Sequence, residues 1–331
     1  KHRTSTRDKF GYSKAMKTGL LLDDIFTEHD PGENHPEAPG RIKAIREQLE
    51  KSELISQCDA IPLRAITDDE VRLAHTDGYL KTVITEIDGT SSGTLSTGDT
   101  NFGKRSLNVA RNAAGGLLNA IDSVVKRETK NAFCAVRPPG HHASADRGMG
   151  FCIFNNAAIA ARYAKKKHGM ERVAIIDWDV HHGNGTQHIF IEDPDVFYFS
   201  THQHPWYPGT GSISETGTGA GKKTNLNAPL PAGTDMAAIA KAFQSDFVPK
   251  MKDYKPDLVI ISAGFDSRER DPLGDFLLTD EDFSDLTKIL LEIAGEFSES
   301  RLVSVLEGGY NKKGLARAVD AHLSALIASE I

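Results

Sequence analysis

The sequence is poor in cysteine. Its three, Cys58, Cys134 and Cys152, are an odd number with no C-x-x-C pair, which excludes a disulfide framework and a cysteine-based zinc site. Long hydrophobic runs are missing too: the apolar stretches at 173–176 and 258–261 fall far short of the ~18 to 20 residues that span a bilayer. There is no basic excess. The 39 Lys and Arg stand against 46 Asp and Glu, a net charge of −7, so the chain lacks the positive field that grips nucleic-acid phosphates. No G-x-G-x-x-G opens a helix after a first strand, which removes a dinucleotide-dependent dehydrogenase. The expectation is a soluble protein of a reducing compartment, the cytoplasm by default, with a nucleus or an organelle as alternatives.

What is present is ordinary for a globular chain of 331 residues, 39% of them hydrophobic and 26% charged. Residues 1–15 carry Lys1, Arg3, Arg7, Lys9 and Lys14 with little apolar content, and read as a disordered basic tail or the remnant of a leader or tag. From residue 16 to 331 there is no linker, low-complexity block or repeat, so a single domain is expected. Short, nearly all-apolar runs at 133–136, 173–176, 196–199, 258–262 and 302–306 read as strands covered on both faces. Between them lie amphipathic helices. One carries Leu107, Ala110, Ala114, Leu117, Leu118, Ile121, Val124 and Val125 on one face; another runs from Phe283 to Phe297, with Thr279 and Asp282 spaced as a capping box. Strand–helix alternation predicts an α/β fold, a mostly parallel central sheet with helices on both faces.

In such a sheet, ligands sit beyond the carboxyl ends of the strands. There the five runs are followed by His141 and His142; by Asp177, Asp179, His181 and Asn184; by Ser200, Thr201 and His202; by Asp266; and by Tyr310. Taken alone, a histidine is more often a satisfied structural residue and an aspartate after a strand more often a helix cap. Five strand ends delivering such groups to one edge make a functional site the better reading. Asp179 and His181 are two apart and would face the same side of an extended segment. With Asp266 they offer two carboxylate oxygens and one imidazole, the three-ligand, open-position set of a catalytic metal. Zinc is the default, and Fe²⁺ suits the same hard donors. Two carboxylates would neutralise the ion and weaken it as a Lewis acid. The histidine doublet as general base and the Tyr310 hydroxyl as carbonyl polariser would supply the missing help, giving metal-assisted hydrolysis of an amide or similar bond.

The motifs Arg137-Pro-Pro-Gly-His-His-Ala143, Gly150-Phe-Cys-Ile-Phe-Asn-Asn156, Asp177-Trp-Asp-Val-His-His-Gly-Asn-Gly-Thr-Gln187, Ser262-Ala-Gly-Phe-Asp266 and Leu306-Glu-Gly-Gly-Tyr310 resemble those of the zinc-dependent histone deacetylase family, in its class II branch and the similar bacterial amidohydrolases. The resemblance runs from His35-Pro-Glu-Ala-Pro-Gly-Arg41 to the C-terminus. It implies an arginase/deacetylase-like fold and removal of acetyl groups from lysine side chains by attack of a water on the metal. Asp179, His181 and Asp266 would hold zinc, His142 would be the general base, His141 its electrostatic partner oriented by Asp177, and Tyr310 the oxyanion stabiliser. Asn184 stands where class I members orient the second histidine with Asp. An amide stabilises imidazolium less than a carboxylate does, so His142 should titrate below His141.

The resemblance also implies an acyl-lysine channel of Gly150, Phe151, Tyr207 and Leu273, with Asp99 as a rim aspartate for the substrate backbone. It further implies structural potassium at Asp177, Asp179, His181, Ser200 and Thr201, and a second potassium at backbone oxygens of Phe190, Asp193 and Val196. Polyamine-preferring relatives carry an acidic residue where Leu273 stands, which favours an acetylated protein as substrate. The loop Trp206-Tyr-Pro-Gly-Thr-Gly211, similar to that of small-molecule deacetylases, keeps an acetylpolyamine or other small amide as the alternative. A two-metal ureohydrolase would need more aspartates, and a non-catalytic acyl-lysine reader would have lost a ligand or the tyrosine. No nucleic-acid or membrane partner is expected.

Overall fold

A computed structural model describes residues 16–330; the basic segment 1–15 expected as a tail lies outside the described residues. Ten strands are formed: β1 (Thr18–Leu21), β2 (Cys58–Ala60), β3 (Ser92–Thr94), β4 (Asn101–Gly103), β5 (Ala132–Cys134), β6 (Val173–Asp177), β7 (Val196–Gln203), β8 (Asn225–Leu230), β9 (Leu258–Ala263) and β10 (Leu302–Leu306). Eight make one sheet in the order β2-β1-β5-β10-β9-β6-β7-β8, every pairing parallel, while β3 and β4 form a separate hairpin.

This order explains the convergence at one edge. The strands β5, β10, β9, β6 and β7 are adjacent in space although their segments are scattered over the sequence. Their register aligns Cys134, Val305, Ser262, Asp177 and Ser200 in one row across the sheet. Whatever follows that row therefore projects from a common carboxyl edge.

Every residue of β6, β7, β9 and β10 is buried, so both faces are covered, as their all-apolar runs predict. The Ser106–Val125 helix packs on β1, β5 and β10, and the Asn156–His168 helix on β6 and β9. A second group of helices is centred on Lys312–Ala328, which packs against both Gly40–Lys51 and Asp280–Phe297. In Ser106–Val125 the expected face is the buried one. Its Leu117, Leu118 and Ile121 are fully buried, each such side chain contributing about 1.5–3 kcal/mol. The Asp280–Phe297 helix starts where Thr279 predicts: the Thr279 N–H donates to Asp282 Oδ2 at 2.7 Å.

Two strand ends differ from expectation by more than one residue. β5 stops at Cys134, where the chain turns into the Arg137-Pro-Pro segment, and β7 continues to Gln203, so that Ser200, Thr201 and His202 lie within a strand rather than after it. The longer β7 is matched by β8, which pairs with it out to Leu230. Among the described residues no helix is long and apolar enough to cross a membrane.

Candidate active site

Beyond Asp177 the chain bends rather than staying extended, yet Asp179 and His181 still meet. His181 Nδ1 lies 3.0 Å from Asp179 Oδ1 and 3.3 Å from Asp266 Oδ2, and the three side chains form a buried group with metal-ligand spacing. Backbone amides fix the carboxylates: Gly308 N–H donates to Asp179 Oδ2 at 2.8 Å, and Val180 N–H to Asp266 Oδ1 at 2.9 Å. Asp266 Oδ2 is buried without a hydrogen bond of good geometry, His181 Nδ1 standing 3.3 Å away, an arrangement that costs free energy unless a cation or a well-placed donor meets it. Two glycines leave room for one. A Cβ on Gly264 would lie 2.1 Å from Asp179 Oδ2, and a Cβ on Gly308 would lie 2.0 Å from Asp266 Oδ2. Burial and the neighbouring Asp179 carboxylate push Asp266 up to about 7. Burial would lower His181, but hydrogen bonds and charges of the two aspartates outweigh it and carry it to about 10. The cluster is short of positive charge, and the donor set fits a divalent ion.

Beside it stand the two histidines delivered by the segment after β5, their ring centroids 4.0 Å apart. His141 Nδ1 is 3.0 Å from Asp177 Oδ2, which also accepts from Tyr198 Oη at 3.0 Å. Burial opposes a charge on His141, but Asp177 and Asp179 prevail and hold its pKa well above the usual value. His142 Nδ1 is 2.8 Å from Asn184 Oδ1, and the Asn184 amide nitrogen faces Met149 Sδ at 3.4 Å. A thioether only accepts, so the amide presents its NH₂ to the sulfur and its oxygen to His142, whose proton is then on Nδ1. Nε2 keeps its lone pair. Burial, with the charges of His141 and His181, holds His142 well below the usual value, the order anticipated from Asp177 and Asn184.

The four channel residues and Asp99 line one cavity of about 260 Å³ with His142, His181 and Tyr310 at it. Gly150 and Phe151 are both left-handed, with φ of +56° and +67°. Gly150 is needed for the close approach, because a Cβ would come 2.2 Å from His142 Cδ2. Phe151 packs edge-on to Tyr310 with centroids 5.9 Å apart, and Tyr207 edge-on to His142 at 5.2 Å. Asp99 fastens the rim: Oδ1 accepts from Gly150 N–H at 2.7 Å and Oδ2 from Tyr207 Oη at 3.0 Å. Trp206, another lining residue, donates from Nε1 to the Leu273 carbonyl at 2.8 Å. Tyr310 is set by its N–H on Asp271 Oδ2 at 2.7 Å, and burial raises its phenol well above 10, keeping it a proton donor.

Residues 35–326 match the family model described as the histone deacetylase domain. The chain belongs to the histone deacetylase family. It is 40% identical over 339 residues to "Histone deacetylase 10, chloroplastic" of Oryza sativa subsp. japonica, covering 96% of this chain and 76% of that protein. It is 38% identical over 327 residues to "Polyamine deacetylase HDAC10" of Danio rerio, covering 95% of this chain and 48% of the relative, so the chain spans about half of that protein's length. A 40% identical Caenorhabditis elegans relative, "Histone deacetylase 6", is matched over only 31% of its length. Among solved structures, the HD domain of HDA15 superposes with a TM-score of 0.89 at 35% identity, covering 94% of this chain and 90% of that one.

This deacetylase-family site rests on a charged layer that the sequence reading overlooked. Glu37 is fully buried between Arg137, whose Nε is 2.5 Å from Oε1, and Arg41, whose Nη1 is 3.0 Å from the same oxygen. Arg41 also donates from Nε to the Gly309 carbonyl at 2.7 Å and from Nη2 to the Glu307 carbonyl at 2.6 Å, while its guanidinium stacks 5.1 Å from the Tyr310 ring centroid. The signal was present: Glu37, Arg41 and Arg137 are charges inside Pro- and Gly-rich motifs, where a solvated surface role is improbable. Of the positions inferred for potassium, Asp177 and Ser200 pair across β6 and β7, and Thr201 Oγ1 is buried without a partner. Phe190 ends the Asn184–Phe190 helix, and Asp193 lies on the turn that leads to Val196, the first residue of β7.

Proposed function

We propose that the protein is a zinc-dependent lysine deacetylase acting on acetyl-lysine side chains of proteins. The observation that carries this reading is the single cavity in which aromatic walls lead to His142, His181 and Tyr310. Phe151 and Tyr207 offer apolar faces to an unbranched aliphatic stem, with Leu273 beside them, and the acetamide at its tip reaches the Asp179, His181 and Asp266 cluster. A divalent ion bound there supplies Lewis acidity to the water and the carbonyl. His142 Nε2 takes a proton from the attacking water and returns it to the amine nitrogen as the C–N bond breaks, releasing acetate and free lysine. His141, held cationic by Asp177, stabilises the negative charge that develops beside it. Tyr310 donates to the carbonyl oxygen as it gains charge. Zinc fits two carboxylate oxygens and an imidazole, and Fe²⁺ satisfies the same set. A structural potassium beside Asp177, Ser200 and Thr201, and a second near Phe190, Asp193 and Val196, belong to the same proposal and rest on the family resemblance.

One observation favours an acetylpolyamine instead: the Asp99 carboxylate at the cavity could pair with a distal ammonium. Both its oxygens are already engaged, and Leu273 brings no charge, so we favour the protein substrate. The deciding experiment compares kcat/KM of zinc-loaded protein on an acetyl-lysine peptide, N-acetylputrescine and N8-acetylspermidine, with Tyr310→Phe as control. Faster peptide turnover, lost in the control, is expected. Faster polyamine turnover would replace this substrate assignment, and no turnover of any would remove it.

A further inference from the structure

Gln187 closes the His-His-Gly-Asn-Gly-Thr-Gln motif, and the chemistry above gives it no task. It is buried in the Asn184–Phe190 helix. Its Oε1 accepts from three nitrogens: Asn227 Nδ2 at 2.7 Å, Asn225 Nδ2 at 2.8 Å and His182 Nε2 at 3.0 Å. Its Nε2 donates to Glu215 Oε2 at 2.5 Å. A carboxylate only accepts, so the amide has one orientation, with NH₂ toward Glu215 and the oxygen toward the three donors. His182 therefore carries its proton on Nε2, and its Nδ1 accepts from the Thr210 hydroxyl at 2.8 Å.

Both arms end in one loop. Thr210 is reached through His182. Glu215, reached directly, gathers the loop by accepting from Ser212 N–H at 2.9 Å and Gly211 N–H at 3.4 Å, and its own carbonyl takes Asn225 Nδ2 at 2.6 Å. Residues 206–215 begin with Trp206 and Tyr207, which line the cavity. Trp206 Nε1 and Tyr207 Oη tie the front of the loop to the Leu273 carbonyl and Asp99 Oδ2, while its large apolar side chains Trp206, Tyr207 and Ile213 stay exposed, so the buried polar anchors at Gln187 hold the rest of it.

We infer that Gln187 is a positioning residue for the substrate channel: through Glu215 and His182 it fixes the loop carrying Trp206 and Tyr207, and so governs binding of the acyl-lysine stem rather than the chemical step. The inference rests on reading the cavity as that channel. Removing the side-chain amide leaves His182 Nε2–H and two asparagine amides without their shared acceptor and frees the loop to move.

The test uses Gln187→Leu and the exchange Gln187→Glu with Glu215→Gln, which restores the donor–acceptor pair in reverse. The chain has two tryptophans, Trp178 at 1% exposure and Trp206 at 42%, so acrylamide quenching reads the loop through Trp206. Gln187→Leu should raise KM for the acetyl-lysine peptide at least tenfold with kcat within threefold, and increase quenching. It should also weaken octanohydroxamate binding at least tenfold while acetohydroxamate, which needs no channel wall, changes less than twofold. The exchange should regain most of each. A folded, metal-loaded Gln187→Leu with unchanged KM, quenching and octanohydroxamate affinity would overturn the inference. If Gln187→Leu does not fold, Thr210→Val, which cuts only the His182 arm, should show the same pattern at smaller amplitude, and its absence there would count equally against. Should the wild type turn over no peptide, the quenching and hydroxamate readouts still decide the role of Gln187.

Discussion

Glu307 holds His141 by its main chain: Oε2 accepts the His141 N–H at 3.1 Å and the Gly140 N–H at 2.6 Å, while Oε1 accepts from Ser262 Oγ at 3.0 Å. One carboxylate thus joins the ends of β9 and β10 to the segment bearing the histidine pair. Partners that orient the groups around a metal site typically cost about 10–100-fold when removed. Glu307→Ala should therefore lower kcat by about that factor with little change in KM. Glu307→Gln should be milder, because its oxygen can still serve both N–H groups while its NH₂ donates to a rotated Ser262 hydroxyl. Wild-type kcat in metal-loaded Glu307→Ala would show that the pair is held by other contacts.

The Asp179, His181 and Asp266 group leaves no room for a methyl group at Gly308. A Cβ there would come 2.0 Å from Asp266 Oδ2 and 2.6 Å from Asp179 Oδ2, so one carboxylate must move. Gly308→Ala should weaken zinc retention by about 10-fold or more, on the scale of lost orienting contacts, and activity should follow metal occupancy. Competition with a chromophoric chelator measures the affinity, and circular dichroism checks the fold. Unchanged zinc affinity would mean that Asp179 and Asp266 are not the ligands.

Much of this was legible in the sequence, and the reason is local. The runs at 258–262 and 302–306 are nearly all apolar because β9 and β10 are buried on both faces, and polar residues within a few positions after such a run collect at the sheet edge. That rule found Asp177, Asp266 and Tyr310 without a template. It did not single out Glu37 or Arg41, whose bonds to Arg137, Glu307 and Gly309 span 100 or more residues, nor Glu307, which follows β10 directly but meets Gly140 and His141 only across more than 160 residues. Separating the roles of His141 and His142 needed Asp177 and Asn184 to be placed against them, which only the family resemblance supplied. The edge strands β2 and β8, and β1 beside β2, escaped notice because they are short or interrupted by polar residues and Pro229. Asp99 lies in a loop with no periodic signal, and its bonds to Gly150 and Tyr207 emerge only in three dimensions.

Two buried histidines outside the Asp179, His181 and Asp266 group make stability depend on pH. His75 is buried with Nδ1 2.9 Å from the Ser144 carbonyl and Nε2 accepting from Asn155 N–H at 2.9 Å; burial lowers its pKa to about 4. His322 lies between Thr287 Oγ1 at 2.6 Å and Ser304 Oγ at 2.9 Å, and burial lowers it to about 3. Unfolded, each titrates near 6.5, so below that pH the unfolded chain binds protons that the native state refuses. Native stability is full above about pH 6.5 and falls as the pH drops toward the folded values. Each residue contributes a slope of up to about 1.4 kcal/mol per pH unit. Urea unfolding of His322→Gln at pH 7.5 and 5.5 should show a smaller loss between the two than the wild type, by about 1.4 kcal/mol in all, because only the unit below pH 6.5 carries the slope. An identical pH dependence would mean that His322 titrates in the native protein as it does in the unfolded chain.

The last expectation concerns the charged layer beneath Tyr310. Glu37 is the only carboxylate among the described residues in ion-pair contact with both Arg41 and Arg137, all three fully buried. Breaking a buried pair by deleting one partner costs about 3–5 kcal/mol, because the remaining charge is stranded. Here two guanidiniums would be stranded, and Arg41 carries the carbonyls of Glu307 and Gly309 that flank the metal-side glycine. Glu37→Ala should thus lower unfolding stability by at least that much, a large share of the 5–15 kcal/mol typical of a folded domain. The surface pair Arg127–Glu299, with side chains 42% and 65% exposed, is the matched control: Glu299→Ala should change stability by about 1 kcal/mol or less. Urea midpoints of the two variants separate the cases. If Glu37→Ala were no worse than Glu299→Ala, water or rearrangement would be solvating the arginines, and the layer would not be what holds the Glu307–Tyr310 segment in place.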